Sequence, residues 1–336
     1  MSGNNPIIFI PGALGSRLYD IETGELVWFS PVGFLKNRKN IGIEHKFSVK
    51  NQLLNLTKAK KKEHGTTLFY KRFIEDICRR FPNRAVYFFS YDFRNSCIDS
   101  AEMLNDVIGE VLKAGNAEKA DIAAHSLGGL VISAYAAIYG FDKLGKVVTL
   151  GAPFEGLVDA IKDTVTDRII RLPIFILNSL GFSKDLFREY PSYAEMFPSV
   201  EYHRAHPFII DGIAASEEDY RMISEKILRE NYSKADEFRK LIRINAAGIL
   251  AFYENSYFII SSGKKTRVSA DFSDNRFRAI FDKHGGDGVV SYDSQTMMGR
   301  LKCAVSDDRI FETELYHNET VTSKKSLSVL YSILEK

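Results

Sequence analysis

Short apolar blocks alternate with longer segments of helical period along most of the chain. The blocks are rich in β-branched and aromatic residues, which is typical of buried strands. They occupy residues 6–10, 85–91, 120–124, 146–150, 257–260 and 310–315. Segments with helical period occupy residues 71–81, 101–114, 127–139 and 323–335. In the third of these, Leu130, Ala134 and Ala137 share one face. The alternation predicts an α/β fold with a mostly parallel sheet flanked by helices.

Two segments depart from this alternation. Residues 19–65 contain the only tryptophan, Trp28, and a basic run from Lys58 to Lys62. We interpret them as an insertion that contacts an anionic lipid surface, or alternatively as an ordinary solvated face. Residues 156–245 are too long for a simple crossover and have amphipathic stretches. They predict a helical cap inserted into a core formed by residues 1–155 and 246–336.

Composition excludes several classes of protein. The chain has 336 residues, of which 45% are hydrophobic and 26% charged, as in an ordinary globular protein. A formal net charge of +2 gives no basic field for collecting nucleic acid, so we expect no nucleic-acid partner. Three cysteines without paired spacing favour a reducing compartment. We find no basic leader and no apolar run long enough to span a membrane, and we expect a cytoplasmic protein, with export by a signal-independent route left open.

The string ADIAAHSLGGL at residues 120–130 is the most informative in the chain. It is an apolar strand that runs directly into a helix, with Ser126 at the corner between the small residues Ala124 and Gly128, as in a nucleophile elbow. Small neighbours are required there because the serine occupies a strained backbone conformation. A capping serine on an ordinary turn is the alternative. A second glycine-rich turn after the first strand, at residues 11–16, favours the nucleophile because such a loop supplies an oxyanion donor.

The acid and the base should follow the serine in that order. Of the seven histidines, five precede Ser126, adjoin it or lie in the predicted cap: His45, His64, His125, His203 and His206. Of the remaining two, His284 and His317, we favour His317, because it follows an apolar block and precedes the last helix. Asp287 lies in a glycine-flanked turn 30 residues earlier and is our candidate acid, although it could instead only organise that turn.

Other chemistries have weaker signals. The string from Glu201 through His203 to His206 could place a pair of ligands one helical turn apart, but no further ligand with suitable spacing accompanies such a pair, so we expect no metal. The sequence has no phosphate-binding glycine motif. We therefore expect no cofactor.

Several motifs together resemble the lecithin:cholesterol acyltransferase and lysosomal phospholipase A2 family of α/β-hydrolases. The matching strings, spread over most of the chain, are PGALGSRL (11–18), YDFR (91–94), AHSLG (124–128), GAPFEG (151–156), YAEMFP (193–198) and GDGVV (286–290). Their order and spacing are more specific than any single motif. Ala124 replaces the first glycine of the family's elbow, and Phe154 and Glu155 replace a Trp-Gly pair.

The resemblance implies an α/β-hydrolase fold and a triad of Ser126, Asp287 and His317. It also implies an oxyanion hole formed by the amides of Ala13 and Leu127, and a brace beneath the site from the YDFR string. Members of the family hydrolyse acyl esters of phospholipids or move the acyl chain to an alcohol. The signal peptide and disulfides of its secreted members are not found here.

The resemblance and the apolar cap together predict a lipid or other acyl-ester substrate and a peripheral membrane contact. We assign substrate contacts to Leu14, Phe154, Phe175, Phe182 and Met196. The alternative for such apolar residues is packing against the core. Two other functions stay open, namely an esterase or lipase for other esters, and a binding module with a decayed hydrolase site.

Overall fold

The computed structural model describes residues 5–28, 41–59, 68–166, 184–243 and 248–336. The strands are β1 Ile7–Ile10, β2 Leu18–Asp20, β3 Leu26–Trp28, β4 Phe47–Ser48, β5 Val86–Phe88, β6 Ala120–His125, β7 Leu144–Leu150, β8 Ile209–Ile210, β9 Ile213–Ala214, β10 Ser256–Ser261, β11 Lys264–Asp271, β12 Arg278–Gly286 and β13 Ile310–Thr313. The α-helices are α1 Leu68–Arg80, α2 Cys97–Gly115, α3 Leu127–Tyr139, α4 Val158–Val165, α5 Lys184–Glu189, α6 Pro191–Glu195, α7 Val200–Ala205, α8 Glu217–Leu228, α9 Asn231–Ile242, α10 Tyr292–Gln295, α11 Arg300–Ala304 and α12 Lys324–Glu335.

The central sheet has six parallel strands in the order β13-β10-β7-β6-β1-β5. Each of the six predicted strands forms one strand of this sheet, and the predicted fold class is confirmed. Because the strands are parallel, their carboxyl ends lie at one edge of the sheet, where α/β proteins place their sites. Ser126 follows β6 at that edge, next to Gly151, which follows β7.

Helices cover both faces of the sheet. Along β1, Ile8 and Ile10 pack in a cluster with residues of α2 and α3, whereas Ile7 and Phe9 pack in a second cluster with residues of α1 and α12. This division follows from the alternation of side chains along a strand. All four residues are fully buried, as expected for a parallel sheet that is covered on both sides.

Helix α2 begins four residues before the predicted start. Ser96 caps it by accepting a hydrogen bond from the amide of Ile98 at 3.0 Å, and Asp99 lies in the first turn, where a negative charge is favourable. The polar cap extends the helix beyond the apolar period from which it was predicted.

Two smaller sheets were not predicted. One joins β2 with β3 and β4, and the other has the order β12-β11-β8-β9. The second sheet links strands from the predicted cap with a long hairpin, β11–β12, that ends immediately before Asp287. Residues 156–245 otherwise contain helices α4 to α9 in their described parts.

The membrane contact predicted for Trp28 is wrong. Its side chain is only 4% exposed, its indole N–H donates to the carbonyl of Leu14 at 3.0 Å, and its ring packs edge to face on Phe93. Its ring is packed inside the protein, and its N–H holds the loop after β1 through the Leu14 carbonyl. Lys58 is exposed, and Lys60, Lys61 and Lys62 lie outside the described residues. Among the helices that the structure describes, none combines the length and the apolarity needed to cross a bilayer.

Candidate active site

Ser126 lies at the sharp turn between β6 and α3. Its backbone has φ 54° and ψ −124°, a region that non-glycine residues rarely occupy and that costs on the order of 1–3 kcal/mol. Close packing enforces the turn. A Cβ atom added at Gly128 would come within 2.5 Å of the Ile10 carbonyl oxygen, and one added at Gly12 would come within 2.8 Å of the Ser126 Cβ. Gly128, one of the small residues predicted around the serine, is therefore required by its contact with β1, and Gly12 is required by its contact with Ser126.

His317 and Asp287 meet Ser126 in a continuous line of hydrogen bonds. The His317 Nε2 lies 2.9 Å from the Ser126 Oγ, and its Nδ1 lies 2.7 Å from the Asp287 Oδ2. Asp287 is fully buried, and its other oxygen, Oδ1, accepts from the amides of Val289 and Val290 at 2.9 and 2.7 Å. These amides fix the carboxylate, which in turn orients the imidazole.

The backbone supports this arrangement at two points. The amide of His317 donates to the carbonyl of Asp287 at 2.9 Å, which ties the turn after β12 to the turn after β13. Gly151 has φ +57°, and a Cβ added there would lie 3.2 Å from both the Asp287 Oδ2 and the His317 Nδ1. Gly151 thus lets the carboxylate and imidazole pass close to the end of β7.

The loop after β1 lies against the elbow. Gly15 donates from its amide to the carbonyl of Gly12 at 3.2 Å, and Leu14 has φ 66°, as in the third position of a type II turn. The Tyr91 hydroxyl donates to the carbonyl of Pro11 at 2.8 Å. Because Trp28 also bonds the carbonyl of Leu14, the loop is held on both sides of Ala13.

Ala13 and Leu127 both lie near Ser126, since Ala13 follows Gly12 in the loop against the elbow and Leu127 directly follows the serine. Leu127 is the first residue of α3, so its N–H has no acceptor within the helix. Within the described ranges, no acceptor of the chain is bonded to either amide. This arrangement suits two donors for a developing oxyanion, and the positive end of the helix dipole adds to it.

The YDFR string holds a buried ion pair. Arg94 and Asp92 are 2.6 Å apart, and the guanidinium also donates to the carbonyls of Gly42 and His45 at 2.5 and 2.7 Å. Both charges are nearly inaccessible to solvent, so these bonds satisfy groups that would otherwise be costly to bury. The pair thereby anchors residues 41–45, while Tyr91 anchors the loop after β1.

Two of the predicted substrate contacts lie in the core. Phe154 is 6% exposed and packs edge to face on Phe258, and Met196 is 4% exposed, with its carbonyl accepting from the Leu157 amide at 2.8 Å. In this structure both side chains contribute to packing. Leu14 is partly buried beside the elbow, and Phe175 and Phe182 lie outside the described residues.

The predicted cap histidines have partners other than metal. The His203 ring lies 3.1 Å from the carbonyl of Ala215, and His206 lies 2.7 Å from Asp293. Glu201 pairs with Arg243 at 2.5 Å. Among the residues described, no group of three or more potential ligands is suitable for a metal ion.

Sequence reasoning missed three residues that contact the site. His125 was set aside as a neighbour of the nucleophile, yet its ring lies 4.7 Å from that of His317. Burial and the nearby His317 lower the pKa of His125 well below its usual value, which favours the neutral ring. Tyr70 bonds to His125 from α1, and Gly151 packs against the triad. Gly151 lies in the GAPFEG string, which was a usable signal, whereas nothing in the sequence singles out Tyr70.

Comparison with solved structures addresses the fold. The crystal structure of the Tle4–Tli4 complex matches with a TM-score of 0.67 at 12% identity, over 100% of this chain and 99% of that one. The chain has an α/β-hydrolase fold. The Bacillus licheniformis lipase BlEst2 in its mature form matches at 12% identity and a TM-score of 0.43, over 99% of this chain and 92% of its own. The Paleococcus ferrophilus monoacylglycerol lipase matches at 13% identity and a TM-score of 0.42, over 99% and 95%.

No protein-family model and no curated protein matches the sequence of this α/β-hydrolase-fold chain. At such identities the structural likeness establishes the fold and leaves the chemistry to the site.

Proposed function

We propose that the protein is a serine acyl-ester hydrolase or O-acyltransferase that acts on lipid esters. The observation that carries the proposal is the unbroken line from Asp287 through His317 to Ser126, with hydrogen bonds of 2.7 and 2.9 Å. The three residues are separated by up to 191 positions, and they meet at the carboxyl edge of the sheet. A serine that only capped a helix would need neither a histidine nor a buried carboxylate.

The reaction follows from the roles of the three side chains. The His317 Nε2 takes the proton of Ser126 as the Oγ attacks the ester carbonyl, and Asp287 stabilises the imidazolium that forms. The amides of Ala13 and Leu127 stabilise the tetrahedral oxyanion. The imidazolium then protonates the leaving alcohol, which gives an acyl-enzyme. Water or a second alcohol attacks that intermediate with His317 as base, and Ser126 is released.

The lipid part of the proposal is supported by the motif resemblance to the lecithin:cholesterol acyltransferase and lysosomal phospholipase A2 family. The matching strings include Ser126, Asp287 and the loop after β1, and the resemblance favours phospholipid-like esters. An esterase for other acyl esters is the competing enzyme activity. A binding module is less well supported, because an intact triad and a strained serine have no use in one.

A Ser126→Ala variant tests the chemistry. We expect its turnover of a p-nitrophenyl acyl ester to fall by roughly 10³-fold or more, since the nucleophile is removed. A fluorophosphonate probe should label the wild type and fail to label this variant. Ser133→Ala is the matched control, because Ser133 is a buried serine on the same helix whose hydroxyl bonds only to the Gly129 carbonyl, at 2.7 Å. Near wild-type turnover in Ser126→Ala would refute the proposal.

A second assay defines the substrate. Phosphatidylcholine vesicles, triacylglycerol emulsion and short-chain p-nitrophenyl esters are compared, each with and without added long-chain alcohol. Release of fatty acid from the phospholipid supports the lipid assignment, and an acyl ester of the added alcohol identifies a transferase. If only the short-chain esters are turned over, the lipid assignment is rejected and the enzyme is a general esterase.

A further inference from the structure

A buried chain of hydrogen bonds connects the loop after β1 with the backbone of His317. The amide of Gly12 donates to the Tyr70 hydroxyl at 2.8 Å, and that hydroxyl lies 2.7 Å from the His125 Nδ1. The His125 Nε2 lies 3.2 Å from the carbonyl oxygen of His317. Tyr70 and His125 are nearly inaccessible to solvent. The chain passes directly behind the nucleophile, because His125 precedes Ser126.

With a neutral His125, only one assignment of protons satisfies all three bonds. The Gly12 N–H must donate, so the Tyr70 oxygen accepts it and gives its own proton to the His125 Nδ1. The His125 Nε2 then carries the ring proton and donates to the His317 carbonyl, which can only accept. A protonated His125 would turn Nδ1 into a donor and reverse this bond, so the Tyr70 oxygen would have to accept from both Nδ1 and Gly12, and its own proton would lose its acceptor. Burial disfavours that charged form.

We propose that Tyr70 and His125 are positioning residues that couple the oxyanion loop to the catalytic histidine. They fix the Gly12 end of the peptide segment that carries the Ala13 amide, and they hold the backbone of His317 on the other side of Ser126. This inference rests on the proposed serine-hydrolase function. Thr320 also donates to the His317 carbonyl, at 2.7 Å, but it lies in the same helical turn, whereas His125 ties that turn to the elbow.

The geometry at Gly12 supports this role. A Cβ added there would lie 3.0 Å from the Tyr70 hydroxyl as well as 2.8 Å from the Ser126 Cβ, so both groups lie close against the loop at Gly12. A displacement of the loop would therefore press on both. Misplacement of a catalytic group by about 1 Å can cost on the order of 10²-fold in rate.

Tyr70→Phe isolates the hydroxyl. The ring, which packs on Phe9 with centroids 5.1 Å apart, is retained, and only the two hydrogen bonds are lost. We expect kcat for a p-nitrophenyl ester to fall by about 10- to 100-fold with KM within about twofold. His125→Gln keeps a donor near the Nε2 position and loses the acceptor for Tyr70, so it should show a similar loss. Because the residues act as one unit, the double variant should be little slower than either single variant.

Tyr253→Phe is the matched control. Its hydroxyl also bonds to backbone carbonyls, those of Leu144 and Gly145 at 2.6 and 2.7 Å, but at the amino end of β7. It should leave kcat unchanged. A Tyr70→Phe enzyme with wild-type kcat would overturn the coupling. So would a double variant whose loss of kcat is the full combination of the losses in Tyr70→Phe and His125→Gln.

The two proposals fail in different ways. A wild-type protein that reacts with the fluorophosphonate probe, together with a Tyr70→Phe variant that is labelled just as fast, overturns only the coupling. A wild-type protein that is never labelled and hydrolyses no ester overturns the serine-hydrolase function and the coupling with it. Slower labelling of Tyr70→Phe at an unchanged melting temperature supports both.

Discussion

At the scale of single residues, the site depends on backbone positions where a side chain would not fit. Gly151 combines a positive φ with a close approach to the carboxylate and the imidazole. An alanine there would be strained by its backbone conformation and would also press on the Asp287–His317 hydrogen bond. The backbone strain lowers stability, whereas the contact with the Asp287–His317 hydrogen bond lowers turnover. A second glycine that has a positive φ but no such contact separates the two effects.

Gly140 is that comparison. It has φ +73° at the end of α3, and a Cβ added there would meet nothing within 4 Å. We expect Gly140→Ala and Gly151→Ala each to lower the free energy of unfolding by about 1–2 kcal/mol. Only Gly151→Ala should also lower kcat, by roughly tenfold or more. Urea unfolding and ester turnover measure the two effects, and equal kcat values for the two variants would contradict the role assigned to Gly151.

The sequence could predict that Ser126, Asp287 and His317 lie together, but it could not predict the contacts that support them. Ser126 and His317 each follow an apolar block, Asp287 lies in a glycine-flanked turn, and their order along the chain is typical of the fold. Tyr70 lies near the start of an ordinary amphipathic helix. Its role depends on a hydroxyl reaching a histidine 55 positions away, and such a long-range contact leaves no local pattern.

At the scale of secondary-structure elements, a buried carboxyl joins two helices. Glu195, the last residue of α6, accepts from the Ser96 hydroxyl at 2.5 Å and from the Cys97 amide at 2.7 Å, at the start of α2. The positive end of the helix favours the carboxylate. Burial acts in the opposite direction and dominates, which raises the pKa of Glu195 to about 7.

This raised pKa makes stability depend on pH. Since the folded protein holds the Glu195 proton more tightly than the unfolded chain, the contribution is fully present below the unfolded pKa of 4.5 and is lost as the pH rises through about 7. Glu195→Gln does not titrate. We therefore expect the variant to gain stability relative to wild type between pH 5 and pH 8, by up to about 3 kcal/mol.

Urea unfolding of wild type and Glu195→Gln at pH 5, 6, 7 and 8 measures this difference. Subtracting the two curves removes groups that both proteins share, such as Asp163, whose pKa burial raises to about 6. A difference that stays constant over this range would show that Glu195 is ionised throughout it.

The elements that were missed have weak or broken periodicity. Strand β12 is largely exposed, and its pairing with β11 shifts register twice, so neither strand shows a clean alternation of apolar and polar residues. Strands β8 and β9 have two residues each. Such elements are fixed by their neighbours in the folded protein, whereas the six long apolar blocks specify their strands locally.

At the scale of the whole molecule, the two ends of the central sheet differ: the candidate site lies at the carboxyl end, and a buried ion pair lies at the amino end. The carboxyl end carries Ser126, with His317 and Asp287 hydrogen-bonded in line behind it. At the amino end, Arg84 and Asp121 form a buried ion pair with a distance of 2.6 Å. Arg84 also donates to the carbonyls of Asn5 and Leu334 at 2.8 Å, which ties the last helix to the start of β1. The second oxygen of Asp121 accepts from the Lys146 amide at 2.9 Å.

Removing Asp121 should therefore affect stability and leave the chemistry intact. Asp121→Ala leaves the Arg84 guanidinium buried without its carboxylate, and we expect a loss of about 3–5 kcal/mol in the free energy of unfolding. Asp121 lies near the start of β6 and Ser126 directly follows its end, about 16 Å away at the usual rise per residue. If the packed strand is rigid over that distance, kcat per folded molecule stays at the wild-type value when measured well below the melting temperature, with fluorophosphonate labelling to count active sites. A fall in kcat at full labelling would mean that β6 transmits strain from one end of the sheet to the other, and the separation of tasks would then be wrong.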